Sequence, residues 1–109
     1  MALLPKLTIA GLLLAGVTAN SAALDKANAR ANFDNYGCAS CHQRAETLVG
    51  PSLKDIAKRY KGKKVATELA TRIREGSEGR WGDMPHPASD LLAPADAELL
   101  AGWILSGAP

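Results

Sequence analysis

The chain has 109 residues, a formal charge of +2, and only one Phe, two Trp and two Tyr. That length holds one small domain, and so slight a charge excludes the strongly basic balance of a nucleic-acid-binding protein. With so few aromatic side chains the domain is short of a hydrophobic centre, and a staple other than side chains is expected.

The N-terminus reads as an address rather than as part of the fold. Lys6 and the amino terminus are weakly positive, and Leu7 to Val17 is an apolar run broken only by Thr8 and two glycines. A small, polar stretch, Thr18 to Ala23, follows, and Ser21-x-Ala23 fits a small-x-small cleavage pattern. The apolar run is shorter than the roughly 20 residues that a membrane anchor needs. Residues 1–23 are therefore expected to be an export signal that is removed, leaving 24–109 as the mature domain. Loss of Lys6, the one charged side chain in that segment, takes the formal charge from +2 to +1.

A first helix is expected over about Asp25 to Tyr36, Ala-rich and ending at Gly37. Directly after it comes Cys38-Ala39-Ser40-Cys41-His42. A C-x-x-C-H run is the attachment site of c-type haem. Residues three apart share one face of a helical turn, so both thiols reach one macrocycle edge as thioethers. His42 then serves as proximal iron ligand through a neutral imidazole nitrogen. Three rivals use the same residues. A thioredoxin-like redox pair wants a βαβ setting, and strand signals are weak throughout. A zinc site from Cys38, Cys41, His42 and His86 closes awkwardly because two of its ligands are adjacent. A plain disulfide is the third.

The second helix is expected over about Pro51 to Tyr60, with Pro51 in its first turn and Leu53, Ile56, Ala57 and Tyr60 on one face. The third covers about Val65 to Arg74, where Val65, Leu69 and Ile73 recur every four residues, and Gly76 stops it. Ser77 to Ala93 is a loop rich in Gly, Pro and Asp. The fourth helix runs from about Pro94 to Ser106, with an apolar stripe of Leu99, Leu100, Trp103 and Ile104. Asp96 and Glu98 sit near its start, where the helix dipole favours negative charge.

The loop holds two candidates for a sixth iron ligand, in Trp81-Gly82-Asp83-Met84-Pro85-His86-Pro87. Met84 is the sole methionine besides the initiator, and a thioether raises the reduction potential. His86 competes; imidazole also binds iron and would lower the potential. The expected ligand is Met84.

From Phe33 to the C-terminus the chain resembles the short bacterial class I cytochromes c. The matching stretches are Phe33-x-x-x-Gly37-Cys38-x-x-Cys41-His42 and Val49-Gly50-Pro51-Ser52-Leu53-Lys54-Asp55-Ile56-Ala57. They continue with Ile73-Arg74-Glu75-Gly76-Ser77-x-Gly79-x-Trp81-Gly82 and Leu100-Ala101-Gly102-Trp103-Ile104-Leu105-Ser106. The resemblance implies an all-α fold, about four helices packed round one covalently attached haem c with His and Met axial ligands. It implies that the Pro51 carbonyl accepts a hydrogen bond from the ring of His42, and that the Trp81 indole lies near a haem propionate. It implies that the first and last helices cross with Phe33 and Trp103 near the contact. The family's loop usually reads Trp-Gly-x-x-Pro-Met-Pro. Aligned without gaps from Trp81, its ligand position falls on His86; aligned on Met-Pro, it falls on Met84 with a shorter loop before it.

Lys54, Lys58, Arg59, Lys61, Lys63 and Lys64 form a basic stretch, with Arg44 close to the haem motif. It reads either as a docking face that steers an acidic redox partner or as a solvated helix face interleaved with Asp55. No residue set looks like an acid/base pair or an activated nucleophile, so the chain is not expected to be an enzyme by itself. The function expected is one-electron transfer in the periplasm between a dehydrogenase donor and a cytochrome or oxidase acceptor, with no nucleic acid and no membrane association after cleavage. The carrier diffuses freely or forms a heterodimer with a larger catalytic subunit; the haem subunit of bacterial sulfite dehydrogenase is similar in size and kind. A haem protein with an open or His-ligated sixth position, gas-binding or peroxidase-like, is the alternative.

Overall fold

The computed structural model describes residues 2–6, 8, 10–11 and 17–109. Most of the apolar run assigned to the export signal lies outside the described residues. Four α-helices follow in chain order: α1 Val17–Asn35, α2 Leu53–Arg59, α3 Ala66–Glu75 and α4 Pro94–Leu105. Among the described residues no strand forms; the extended segments meet only at two isolated bridges, His42 with Thr47 and Ser77 with His86. The architecture is all-α.

Helix α4 is the hub, packing against α1, α2 and α3. Its apolar residues surround it more completely than one stripe would: Ala97, Leu100, Ala101, Trp103 and Ile104 are buried and Leu99 packs against the cluster. A helix that is apolar nearly all round is one with neighbours nearly all round. Leu53 and Ile56 come in from α2 and Ala70 from α3, with Leu69 and Ile73 beside the cluster. The second and third helices thus present the faces that their spacing predicts. Full burial of Leu53, Leu92 and Leu100 contributes about 1.5–3 kcal/mol each.

Among the residues of α1 whose burial is described, Ala29 and Phe33 enter the core. The Phe33 ring meets Trp103 of α4 at a centroid distance of 5.8 Å and a 58° tilt. Edge-biased contacts of this kind add to the area that two aromatics bury. The end of α4 then locks the crossing. Gly107 N–H donates to Ile104 and Ala108 N–H to Trp103, the paired bonds that terminate a helix through a left-handed residue. This reversal brings the Pro109 carbonyl to the Trp103 indole N–H at 3.0 Å and to Arg30 Nε of α1 at 2.9 Å.

Two helix starts differ from the sequence reading. Helix α1 begins at Val17 rather than near Asp25. Nothing between Val17 and Asn35 breaks a helix, and alanine favours continuation. The exposed residues 21–28 nevertheless bury no side chain, and Leu24 is 62% exposed. The cleavage point expected near Ala23 falls within this exposed part. Pro51 is not in the first turn of α2. The cap is Ser52, whose Oγ accepts from Asp55 N–H at 3.0 Å, and the helix starts at Leu53. Ser52 wins because its hydroxyl satisfies a free amide of the first turn while proline keeps the preceding residue extended.

Candidate functional site

The residues of the C-x-x-C-H run occupy the turn just beyond α1. Gly37, at φ 73°, takes the left-handed conformation that ends the helix. A 3₁₀ turn follows over Cys38–Ser40, and the amides of Cys41 and His42 both donate to the Cys38 carbonyl, at 3.1 and 2.9 Å. Both cysteines therefore lie on a single turn, half-buried and as free thiols. Burial pushes the Cys38 thiol above its ordinary pKa; its backbone hydrogen bond opposes this, and Cys41 and Asp34 add to it.

His42 is held from two sides. Its Nδ1 stands 2.6 Å from the Pro51 carbonyl, which only accepts, so Nδ1 carries the hydrogen and Nε2 keeps its lone pair. Gly50 lies flat on the ring: a Cβ there would stand 2.7 Å from Cε1 and 3.1 Å from Nδ1 of His42. The backbone around it is fixed by Gly50 N–H to the Cys41 carbonyl at 2.8 Å and Leu53 N–H to Gln43 at 2.9 Å.

These groups border one cleft of about 1260 Å³, mouth included. Part of its wall is the inner face of the core: Phe33, Leu53, Ile56, Leu100 and Ile104 line it. Opposite the C-x-x-C-H turn, the wall is made by the Ser77–Pro87 loop. An apolar slot with a pair of thiols and a ring nitrogen at its edge is a socket for a flat apolar metal complex. The cytochrome c family model matches residues 26–108.

The chain belongs to the cytochrome c family.

Over 95 residues it is 44% identical to cytochrome c-552 of Nitrosomonas europaea, spanning 84% of this chain and 92% of that one. It is 43% identical over 75 residues to cytochrome c-551 of Pseudomonas aeruginosa, 68% of this chain and 71% of the other. The crystal structure of the Nitrosomonas cytochrome c552 superposes with a TM-score of 0.65 at 43% identity, covering 69% of this chain and 94% of that chain. Members of the family carry electrons on a covalently held c-type haem, and this cytochrome has both cysteines for the attachment.

The residues present fit that group. Two free thiols sit on one turn, an imidazole keeps Nε2 available, and Gly50 leaves the cradle that a side chain would fill. The rivals fit less well. The thiols are not paired as a disulfide, and no strand among the described residues provides a thioredoxin-like setting. Among the described residues no three of His, Cys, Asp or Glu gather to hold a metal such as zinc.

The Trp81–Pro87 loop is tied down at both ends. Trp81 lies under Arg59, whose guanidinium carbon is 4.2 Å from the indole centroid, and meets Tyr60 edge-on at 6.5 Å. Arg59 also donates to the Arg80 carbonyl at 2.7 Å. At the other end His86 exchanges two backbone bonds with Ser77, at 2.8 and 3.2 Å. Gly76, at φ 82°, allows that approach; a Cβ would stand 2.7 Å from the His86 carbonyl oxygen. Met84 reaches the cleft rim but is 64% exposed. The His86 ring is half-buried and stands 6.1 Å from that of His42, centroid to centroid, with 31° between their planes. Burial lowers the His86 pKa from the usual imidazole value, the Pro87 carbonyl opposing and His42 reinforcing the shift.

Arg59 is therefore partly a structural residue rather than a free docking charge. Lys54, Lys58, Lys61, Lys63 and Lys64 remain exposed. Arg44 lies 5.8 Å from the centroid of the Trp103 ring. The roles of Gly50, Arg59 and Ser77 escaped the reading of the motif. A glycine before the proline was the only visible hint of the first; the other two depend on contacts across the fold.

Proposed function

We propose that this cytochrome is a periplasmic one-electron carrier, exported by residues 1–23 and trimmed near Ala23. The observation that supports it best is the His42–Pro51 bond beside two free thiols on the rim of an apolar cleft. Cys38 and Cys41 would hold haem c as thioethers, and His42 would offer its iron a nitrogen. The group, when bound, supplies an iron that alternates between two states one electron apart. The chain does the rest. The Pro51 carbonyl orients the imidazole and raises its basicity. Leu53, Ile56, Leu100 and Ile104 keep water from the cleft. Arg72, Arg80 and Trp81, which border it, offer donors to the carboxylates that the group carries. A second donor would come from the Trp81–Pro87 loop, where Met84 is the sequence expectation. The exposed lysines of α2 and its exit steer an acidic partner by charge.

In one form the carrier diffuses freely between a dehydrogenase and a cytochrome or oxidase; in the other it is the haem subunit of a dehydrogenase such as sulfite dehydrogenase. Purification from the native periplasm tests the reading. The expected product starts near Leu24, is heavier than its peptide by one haem, and changes its visible spectrum reversibly with reductant. A pale product of unmodified peptide mass would refute it. A larger subunit eluting with it selects the second form.

A further inference from the structure

We propose that His86, not Met84, supplies the second axial ligand, so that the iron of this cytochrome is held between two imidazoles. The inference rests on the haem reading above and concerns only the loop's contribution to it. Metal–imidazole bonds of about 2 Å on either side of one ion put the two ring centroids roughly 6 Å apart. The His42 and His86 rings stand 6.1 Å apart. Each ring has its Nδ1 beside a carbonyl, Pro51 for His42 at 2.6 Å and Pro87 for His86 at 2.8 Å. A carbonyl only accepts, so both rings are fixed in the tautomer with a hydrogen on Nδ1 and a lone pair on Nε2. Ligation then forms one bond from His86 Nε2 to the iron, and no proton leaves.

The backbone holds this register. Ser77 and His86 exchange both of their bridge hydrogen bonds, and Arg59 pins the loop at Arg80 and Trp81. Bringing Met84 to the place of the His86 ring means sliding the loop by two residues. That slide breaks both bridge bonds between His86 and Ser77. Met84, exposed at the rim, gains little packing in exchange. Two nitrogen donors favour the oxidised iron more than a nitrogen and a thioether do, so the chain is set for a lower potential than a His/Met carrier.

The test uses the purified holoprotein, with its ferric absorption spectrum, ferric spin state and midpoint potential as readouts. The expected protein is low-spin and lacks the weak far-red sulfur-to-iron band. Met84→Ala should leave spectrum and potential unchanged. His86→Met should create the band and raise the potential, and His86→Ala should turn the iron high-spin until added imidazole restores the low-spin form. A far-red band in the parent protein that Met84→Ala abolishes overturns the assignment, as does a high-spin parent with an open sixth position. Because Met84→Ala perturbs only an exposed side chain, it decides the matter even if the His86 variants fail to fold. A colourless protein overturns the haem reading itself, whereas a coloured one with the band overturns the ligand assignment alone.

Discussion

Gly50 packs face-on against the imidazole of His42, so closely that a single methyl group there would intrude to 2.7 Å from Cε1. The ring has no easy retreat, because Nδ1 is already bound to the Pro51 carbonyl. Gly50→Ala should therefore displace the ring or the 49–51 backbone. Overpacking of this kind costs about 1–3 kcal/mol. The expected result is a lower melting temperature of the holoprotein together with a shifted midpoint potential. An alanine variant with parental melting and parental potential would show that the contact is slack.

Ser52 is buried and caps α2 through Asp55 N–H. Ser52→Ala removes the acceptor and should destabilise the domain by about 1 kcal/mol. Ser52→Asp should recover part of that loss at neutral pH, since a carboxylate also caps and faces the positive end of the helix. Denaturant midpoints of the three proteins check this.

The Phe33–Trp103 contact joins α1 to α4. Trp103→Ala should cost about 3–5 kcal/mol, through the cavity it leaves and the loss of its bond to the Pro109 carbonyl. A double-mutant cycle with Phe33→Leu should show a coupling of about 0.5–1.5 kcal/mol. Additive effects would mean that the rings merely share a neighbourhood.

Arg59 stacks on Trp81 and also donates to the Arg80 carbonyl. Arg59→Lys keeps the charge and loses the planar fork. For this exposed pair the stacking is worth about 0.5–1 kcal/mol. The effect should be local: faster amide exchange across residues 77–87, with exchange in α4 unchanged. Uniformly faster exchange would place Arg59 in global stability instead.

The cleft is walled by the same side chains that form the core, so the domain should need its prosthetic group to close. A Cys38→Ser/Cys41→Ser variant, unable to form thioethers, should lose covalent haem and melt without a cooperative transition. A sharp, parental melt of the colourless variant would show that the helices close the core by themselves.

Much of this was legible along the chain. The spacing of Cys38, Cys41 and His42 carries the attachment chemistry locally, within one turn. The faces of α2 and α3 follow from side chains recurring each turn, and Gly37 and Gly76 mark the ends of α1 and α3 by conformations that other residues resist. Ala29, Leu92 and Ala108 were not visible as core, because no period includes them.

Residue type and spacing alone determined that this is a helical chain with a thiol-anchored haem, since those features are set within a few residues. The loop opposite is another matter. Met84 and His86 are both competent donors two positions apart, and nothing local ranks them. The ranking comes from the Ser77–His86 bridge and from Arg59 on Trp81, contacts between separate elements that fix the register of the loop and so decide which side chain faces His42.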